Sequence, residues 1–94
     1  MIERQLDLFV RDHLELLEEC VEAERAYDRA ARGEAEARYG DYQELVETGT
    51  EILAGLRDNF ASTFGDDAAE EYEVAFNRAV AKRLPRFGLE IENT

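Results

Sequence analysis

His13 and Cys20 are the only histidine and the only cysteine in this chain of 94 residues, and they are the side chains best suited to metal or redox chemistry. They lie seven residues apart, so a helix would place both on one face. A structural zinc site uses four ligands, and the Glu-x-x-His pattern of helical di-iron sites is absent because Val10 stands three residues before His13. We therefore expect no cofactor and no metal, with His13 at a helix contact and Cys20 as a small hydrophobic residue. A ligand- or metal-binding helical bundle around these two residues is the alternative.

Two clusters of like charge are further candidates for binding. An acidic stripe, which a solvated helix face also explains, is formed by Asp12, Glu15, Glu19 and Glu22. Lys82, Arg83 and Arg86 form a basic cluster beside Phe87, and the dipole of a helix ending there accounts for the first two. The chain has no glycine-rich phosphate loop and no nucleophile–base pair at a recognisable spacing. The sequence therefore predicts that this protein is not an enzyme.

The chain is strongly acidic, with 11 Lys+Arg against 23 Asp+Glu and a net charge of −12. Phosphate contacts need Lys and Arg, so we expect no nucleic-acid partner by direct charge attraction and no membrane partner. An acidic decoy that occupies a nucleic-acid-binding protein is a further alternative. Nearly all basic residues are arginines, which fits either a high-GC genome or a salt-adapted cytosol where salt screens the self-repulsion.

The sequence also predicts a cytoplasmic location. No stretch approaches the roughly 20 apolar residues that a membrane span needs. The first residues lack the layout of a signal peptide, and Cys20 has no second cysteine with which to form a disulfide within the chain.

The first part of the chain carries two apolar stripes that repeat every seven residues. The first stripe contains Ile2, Leu6, Phe9, His13, Leu16, Cys20, Ala23, Tyr27 and Ala30. The second contains Ala35, Tyr39, Tyr42, Val46, Gly49, Leu53, Leu56, Phe60 and Phe64. This spacing predicts a long antiparallel hairpin of helices over about 2–32 and 34–64. Gly33 can end the first helix with a left-handed cap, whereas Gly40 offers an alternative turn; the matched helix lengths favour Gly33.

A shorter third helix is predicted over about 67–84. Asp67 is the expected N-cap, cations gather at the far end, and Pro85 follows. Residues 86–94 are predicted to form an extended, strand-like tail because apolar residues alternate there with polar or small ones: Phe87, Leu89 and Ile91.

The first predicted helix carries an additional apolar stripe beside the one that begins at Ile2, and this additional stripe indicates how the three helices pack. Its members are Val10, Leu14, Leu17 and Val21. Beyond residue 21 the apolar face narrows, and a third helix of about 18 residues, or ~27 Å, matches the wide part in length. The sequence thus predicts one all-α domain over 1–94: a three-helix bundle with a two-helix finger that extends to Gly33.

The finger and the tail would both leave apolar side chains poorly covered. Candidate interaction residues are Tyr27, Tyr39 and Tyr42 in the finger and Phe87, Leu89 and Ile91 in the tail. Tyrosine is favoured at interfaces, whereas the tail could instead pack on its own bundle. We therefore predict a non-catalytic acidic interaction module that self-associates as a C2 homodimer and docks a protein partner.

Overall fold

The fold consists of five helices and no strand in a computed structural model that describes residues 1–94. The helices are α1 (Ile2–Asp12), α2 (Leu14–Asp28), α3 (Ala35–Ala61), α4 (Asp66–Arg83) and α5 (Pro85–Glu92). The molecule is elongated, measuring 50 × 24 × 18 Å, and α2 and α3 pack together as its hairpin. None of the helices combines the length and the apolar character that crossing a membrane requires.

The first predicted helix is broken at His13, so the expectation of a single helix over 2–32 is wrong. His13 has φ −124° and ψ 31°, outside helical geometry. The two halves pack against different helices of the same chain. α1 packs on α4, and α2 packs on α3. The seven-residue spacing of apolar residues continues across this break, because Leu6 and Phe9 of α1 and Cys20 of α2 are all buried. The break therefore could not be recognised from the spacing.

The chain reverses in residues 29–34, so the turn lies at Gly33 rather than at Gly40, which is inside α3. The left-handed cap predicted at Gly33 is wrong, because no residue of the chain has a positive φ. A backbone N–H···O bond of 3.1 Å from Ala35 to Ala31 closes the turn instead.

α3 ends at Ala61, and the hydroxyl groups of the two residues that follow donate hydrogen bonds to carbonyl groups in its last turn. The Ser62 hydroxyl donates to the Asn59 carbonyl at 2.7 Å, and the Thr63 hydroxyl donates to the Phe60 carbonyl at 2.7 Å. The first bond satisfies an acceptor that the end of a helix leaves unpaired, whereas the Phe60 carbonyl also accepts the backbone N–H of Thr63 at 3.1 Å.

α4 begins and ends within one residue of the predicted bounds. The capping box expected at Asp67 is wrong, because Gly65 is the N-cap, with extended φ −70° and ψ 164°, and no side chain caps the helix. Asp66 and Asp67 in the first turn and Lys82 and Arg83 in the last turn still complement the helix dipole.

The C-terminal segment is helical, and the extended tail predicted over 86–94 is wrong. Pro85 disfavours helical geometry in the residue before it, which has φ −128° and ψ 65°, and then serves as the first residue of α5. Phe87 and Ile91 lie four residues apart and are both buried, whereas Leu89 between them is 75% exposed. The period along this segment is therefore that of a helix.

Two glycines allow α5 to lie close to its neighbours. A Cβ atom on Gly49 would be 2.5 Å from Cε1 of Phe87, and a Cβ atom on Gly88 would be 2.9 Å from the Cα of Ala81. The Phe87 ring also packs edge-on against Phe9, with ring centroids 6.2 Å apart. α5 thus contacts α1 and α3 through the Phe87 ring, and it contacts α4 through the close approach of Gly88 to Ala81.

Arg57 is the one charged side chain in the core, and it is 5% exposed. Its Nε donates to Asp58 Oδ1 at 2.8 Å, and its Nη1 donates to Asn77 Oδ1 at 3.1 Å and to the Ile91 carbonyl at 3.2 Å. The last bond satisfies a carbonyl at the end of α5, so Arg57 connects α3, α4 and α5.

Candidate interaction surface

α2 carries a line of apolar side chains, the α2 ridge, formed by Leu14, Leu17 and Val21; Leu17 packs partly against the core, and the other two are exposed. Their spacing places them on one helix face, where Leu14 is 52% exposed, Val21 is exposed and Leu17 is half-buried. The sequence predicted this stripe but also predicted that the third helix would cover it. The third helix, α4, packs on α1 as expected, but it does not cover Leu14 and Val21 of α2, which remain exposed.

Two grooves lie on either side of the α2 ridge and share Leu17 and Val21 as walls. The larger one, the Arg86 groove, has a volume of about 530 Å³ and lies between α2 and the junction of α4 with α5. Leu84 and Pro85 supply apolar surface on its far side. The smaller groove has a volume of about 440 Å³ and is bordered by the α2 residues Glu18, Glu22 and Arg25.

The Arg86 groove is the one groove whose charged residues are mainly basic. Arg83 and Arg86 line it together with a single acidic residue, Glu24. Acidic residues outnumber basic ones in the smaller groove and in two further surface depressions, one on α4 that includes Glu70 and Glu71 and one between α3 and α5 that includes Glu47 and Glu90. On a chain with a net charge of −12, the lining of this groove therefore holds two arginine side chains against one carboxylate.

Arg86 keeps hydrogen-bond donors available to this groove. Its guanidinium carbon lies 5.6 Å from the centroid of the Tyr42 ring, and its Nη2 donates to Glu24 Oε1 across a long 3.4 Å. Its side chain is only 22% exposed. Because a guanidinium carries five N–H donors and can stack on an aromatic face, Arg86 is a positioned cation with unused donors.

Arg83, in contrast, is committed to contacts within the chain. Its Nη1 donates to the Glu3 carbonyl at 3.1 Å and to Glu3 Oε2 at 3.3 Å, and its Nη2 forms a salt bridge with Asp7. The hydrogen bond to Asp7 raises the pKa of Arg83 above its usual range. Arg83 therefore ties the end of α4 to α1, and Arg86 is the arginine open to a partner.

The three finger tyrosines occupy two different places. Tyr27 and Tyr39, which the hairpin register sets opposite each other, are in contact with ring centroids 5.5 Å apart, and both remain exposed near the tip. Tyr42 is half-buried beneath Arg86, and burial raises the pKa of its hydroxyl. The tip thus presents an aromatic pair, and Tyr42 belongs to the Arg86 groove.

The tail residues predicted for interaction are also divided. Phe87 and Ile91 are fully buried core residues of α5, although Phe87 reaches the floor of the Arg86 groove. Leu89 points away from the core and is the only one of the three open to another chain.

His13 and Cys20 are not brought together with further ligands. The His13 ring lies 5.2 Å from that of Phe9, and Cys20 is fully buried, which raises the pKa of its thiol. No group of three or more His, Cys, Asp or Glu side chains is placed to hold a metal ion. The geometry gives the metal-binding alternative no support.

The Arg86 groove itself was not predicted from the sequence. The basic cluster was recognised, but an extended tail left Arg86 without a defined position. The usable signal was Pro85, because a proline favoured at the first position of a helix starts α5 and directs Arg86 toward α2 and α3.

No protein-family model, no curated protein and no solved structure matches this chain. Its function is therefore inferred from its own surface.

Proposed function

We propose that this protein is a non-catalytic interaction module that self-associates as a homodimer through the α2 ridge. The observation that carries this proposal is the exposure of Leu14 and Val21 on one helix face with a groove on each side. A contiguous apolar surface of this kind is typical of contacts between proteins, and an amphipathic helix in a groove is a recurrent form of such contacts.

A second copy is a suitable occupant because a twofold interface uses the same patch on both chains. Full burial of one large aliphatic side chain contributes about 1.5–3 kcal/mol, and the twofold axis counts every ridge residue twice. α2 has 15 residues and is therefore only ~22 Å long. A standard interface covers about 800 Å² per partner, so we expect a reversible dimer rather than an obligate one.

The net charge of the chain should make this dimer salt-dependent. Two copies with a charge of −12 each repel one another. The Debye length falls from about 30 Å at 0.01 M salt to about 3 Å at 1 M, so screening removes most of that repulsion. We expect the dimerisation constant to increase as KCl is raised.

Sedimentation equilibrium across about 0.05 to 1 M KCl tests the proposal directly. Leu14→Glu and Val21→Glu should each shift the chain to monomer at every KCl concentration, since each places a carboxylate in the contact. Val74→Glu is the matched control, because Val74 is an exposed aliphatic residue on α4, which packs on α1, α3 and α5, and its replacement should leave the dimer intact. Circular dichroism melts show whether each variant is folded.

Two outcomes would overturn the proposal. One is a wild-type chain that stays monomeric at the highest protein and KCl concentrations. The other is a dimer that survives both α2 substitutions but dissociates in Tyr39→Glu, which would assign the contact to the aromatic pair at the hairpin tip.

A further inference from the structure

We infer that the Arg86 groove of one copy receives the acidic edge of α2 from the second copy, so that two α2 helices lie parallel, each along the other's groove. This inference rests on the proposed self-association and goes beyond it by specifying the occupant of the groove and the charge pairing that selects it.

The α2 ridge and the Arg86 groove form one continuous patch. Leu17 and Val21 belong to the ridge and also line the groove. An isologous interface requires each copy to present and to receive with the same patch. A twofold axis that runs parallel to α2, between the ridge and the groove, satisfies this requirement, because it sets each ridge against the groove of the other copy and makes the helices parallel.

The edge of α2 beside the ridge is acidic. Glu18 and Glu22 border the smaller groove next to Leu17 and Val21. Glu22 pairs with Arg25 at 3.2 Å between two exposed side chains, a contact that contributes little, and Glu18 has no ionic partner within its own chain. Both carboxylates are therefore available to a cation on another copy.

Arg86 supplies the complementary charge. Its guanidinium is held against Tyr42, keeps unused N–H donors, and makes only one long bond to Glu24. A carboxylate that reaches it would form charge-assisted hydrogen bonds in a partly dehydrated site, where such bonds are stronger than at an open surface. The groove walls of Leu84 and Pro85 would meanwhile cover the apolar ridge of the incoming helix.

This division of roles makes Arg86 a specificity-determining residue. Apolar burial along the ridge provides affinity for many amphipathic helices, whereas Arg86, with its unused N–H donors, favours an acidic one. Among the helices of this protein, α2 combines an exposed apolar ridge with acidic residues on the adjoining edge.

A mixing experiment with two charge-reversed chains tests the pairing. Arg86→Glu would set carboxylate against carboxylate, and the double variant Glu18→Lys, Glu22→Lys would set lysine against arginine. Each variant alone should dimerise at least about tenfold more weakly than the wild type, because like charges then face each other along both edges of the interface. When the two are mixed, every reversed residue meets its complement, so a heterodimer should form, as measured by sedimentation velocity with one chain fluorescently labelled.

Controls of equal net charge separate this pairing from a general effect of charge. Arg78→Glu and the double variant Glu70→Lys, Glu71→Lys change residues that border a groove on α4, away from α2. These variants should dimerise like the wild type once KCl screens the altered net charge, and their mixture should show no preference for the heterodimer.

The inference is overturned if the dimer withstands Arg86→Glu, if only one of the two reversed chains is weakened, or if the folded reversed chains stay monomeric when mixed. Self-association through the α2 ridge would still stand in those cases, provided that Leu14→Glu dissociates the wild-type dimer. A wild-type chain that never dimerises removes both proposals together.

Discussion

At the scale of single residues, Gly49 determines how closely α5 can approach α3. The Phe87 ring occupies the space that a Cβ atom on Gly49 would need, and the ring is confined on another side by Phe9. The position of the last helix therefore depends on one missing side chain in the middle of α3.

Gly49→Ala should lower the free energy of unfolding by about 1–3 kcal/mol, because the added methyl group overpacks the contact with Phe87. Gly55→Ala is the matched control on the same helix, since Gly55 is exposed and a methyl group added there would point into open space. Alanine there should raise the free energy of unfolding by about 0.5–1 kcal/mol through helix propensity alone. Urea titrations monitored by circular dichroism measure both values; equal effects of the two substitutions would show that α5 is not held at Gly49.

Residue contacts were predictable only where the sequence register defines them. The contact between Tyr27 and Tyr39 follows from folding the chain at Gly33, and the structure confirms it. The role of Arg57 could not be predicted, because its partners Asn77 and the Ile91 carbonyl lie 20 and 34 residues away on other helices. Nothing in the local pattern of α3 signals that an arginine there would be buried.

At the scale of helices, charged residues and proline at the ends of a segment predicted the helix bounds well, whereas apolar periodicity within a short segment did not predict its secondary structure. α4 lies where its acidic first turn, basic last turn and Pro85 predict it. In α5, Phe87, Leu89 and Ile91 fit a period of two as well as they fit a helix with Leu89 turned outward. Three apolar residues in such a short segment cannot distinguish these patterns.

Replacement of two aliphatic residues of α5 separates the helical segment from the extended one. Ile91→Ala should lower the free energy of unfolding by about 2–5 kcal/mol, because Ile91 is fully buried. Leu89→Ala should change it by less than about 0.5 kcal/mol, since Leu89 lies at the surface. In an extended tail both residues would share one face, so similar losses in chemical denaturation would contradict the helix.

At the scale of the whole molecule, the all-helical character and the hairpin followed from the heptad spacing, but the distribution of partners among the helices did not. The spacing continues through His13 without interruption, so it predicted one straight helix that a third helix covers over residues 2–21. In the structure, α1 packs on α4, whereas α2 packs on α3. The exposed α2 ridge is a direct result of that division.

The break at His13 should also divide the molecule into regions of different local stability. α1 is terminal and is held mainly by α4, so its amides should exchange with deuterium faster than those of α2 and α3. His13→Ala introduces the strongest helix former at the junction and should bring the exchange of α1 closer to that of α2. Mass spectrometry of pulse-labelled peptides measures both effects, and uniform protection from Ile2 to Asp28 in the wild type would contradict them. Fraying of α1 in the wild type would leave Leu14, Leu17 and Val21 in place, so the chain would lose order at one end and keep the proposed association surface.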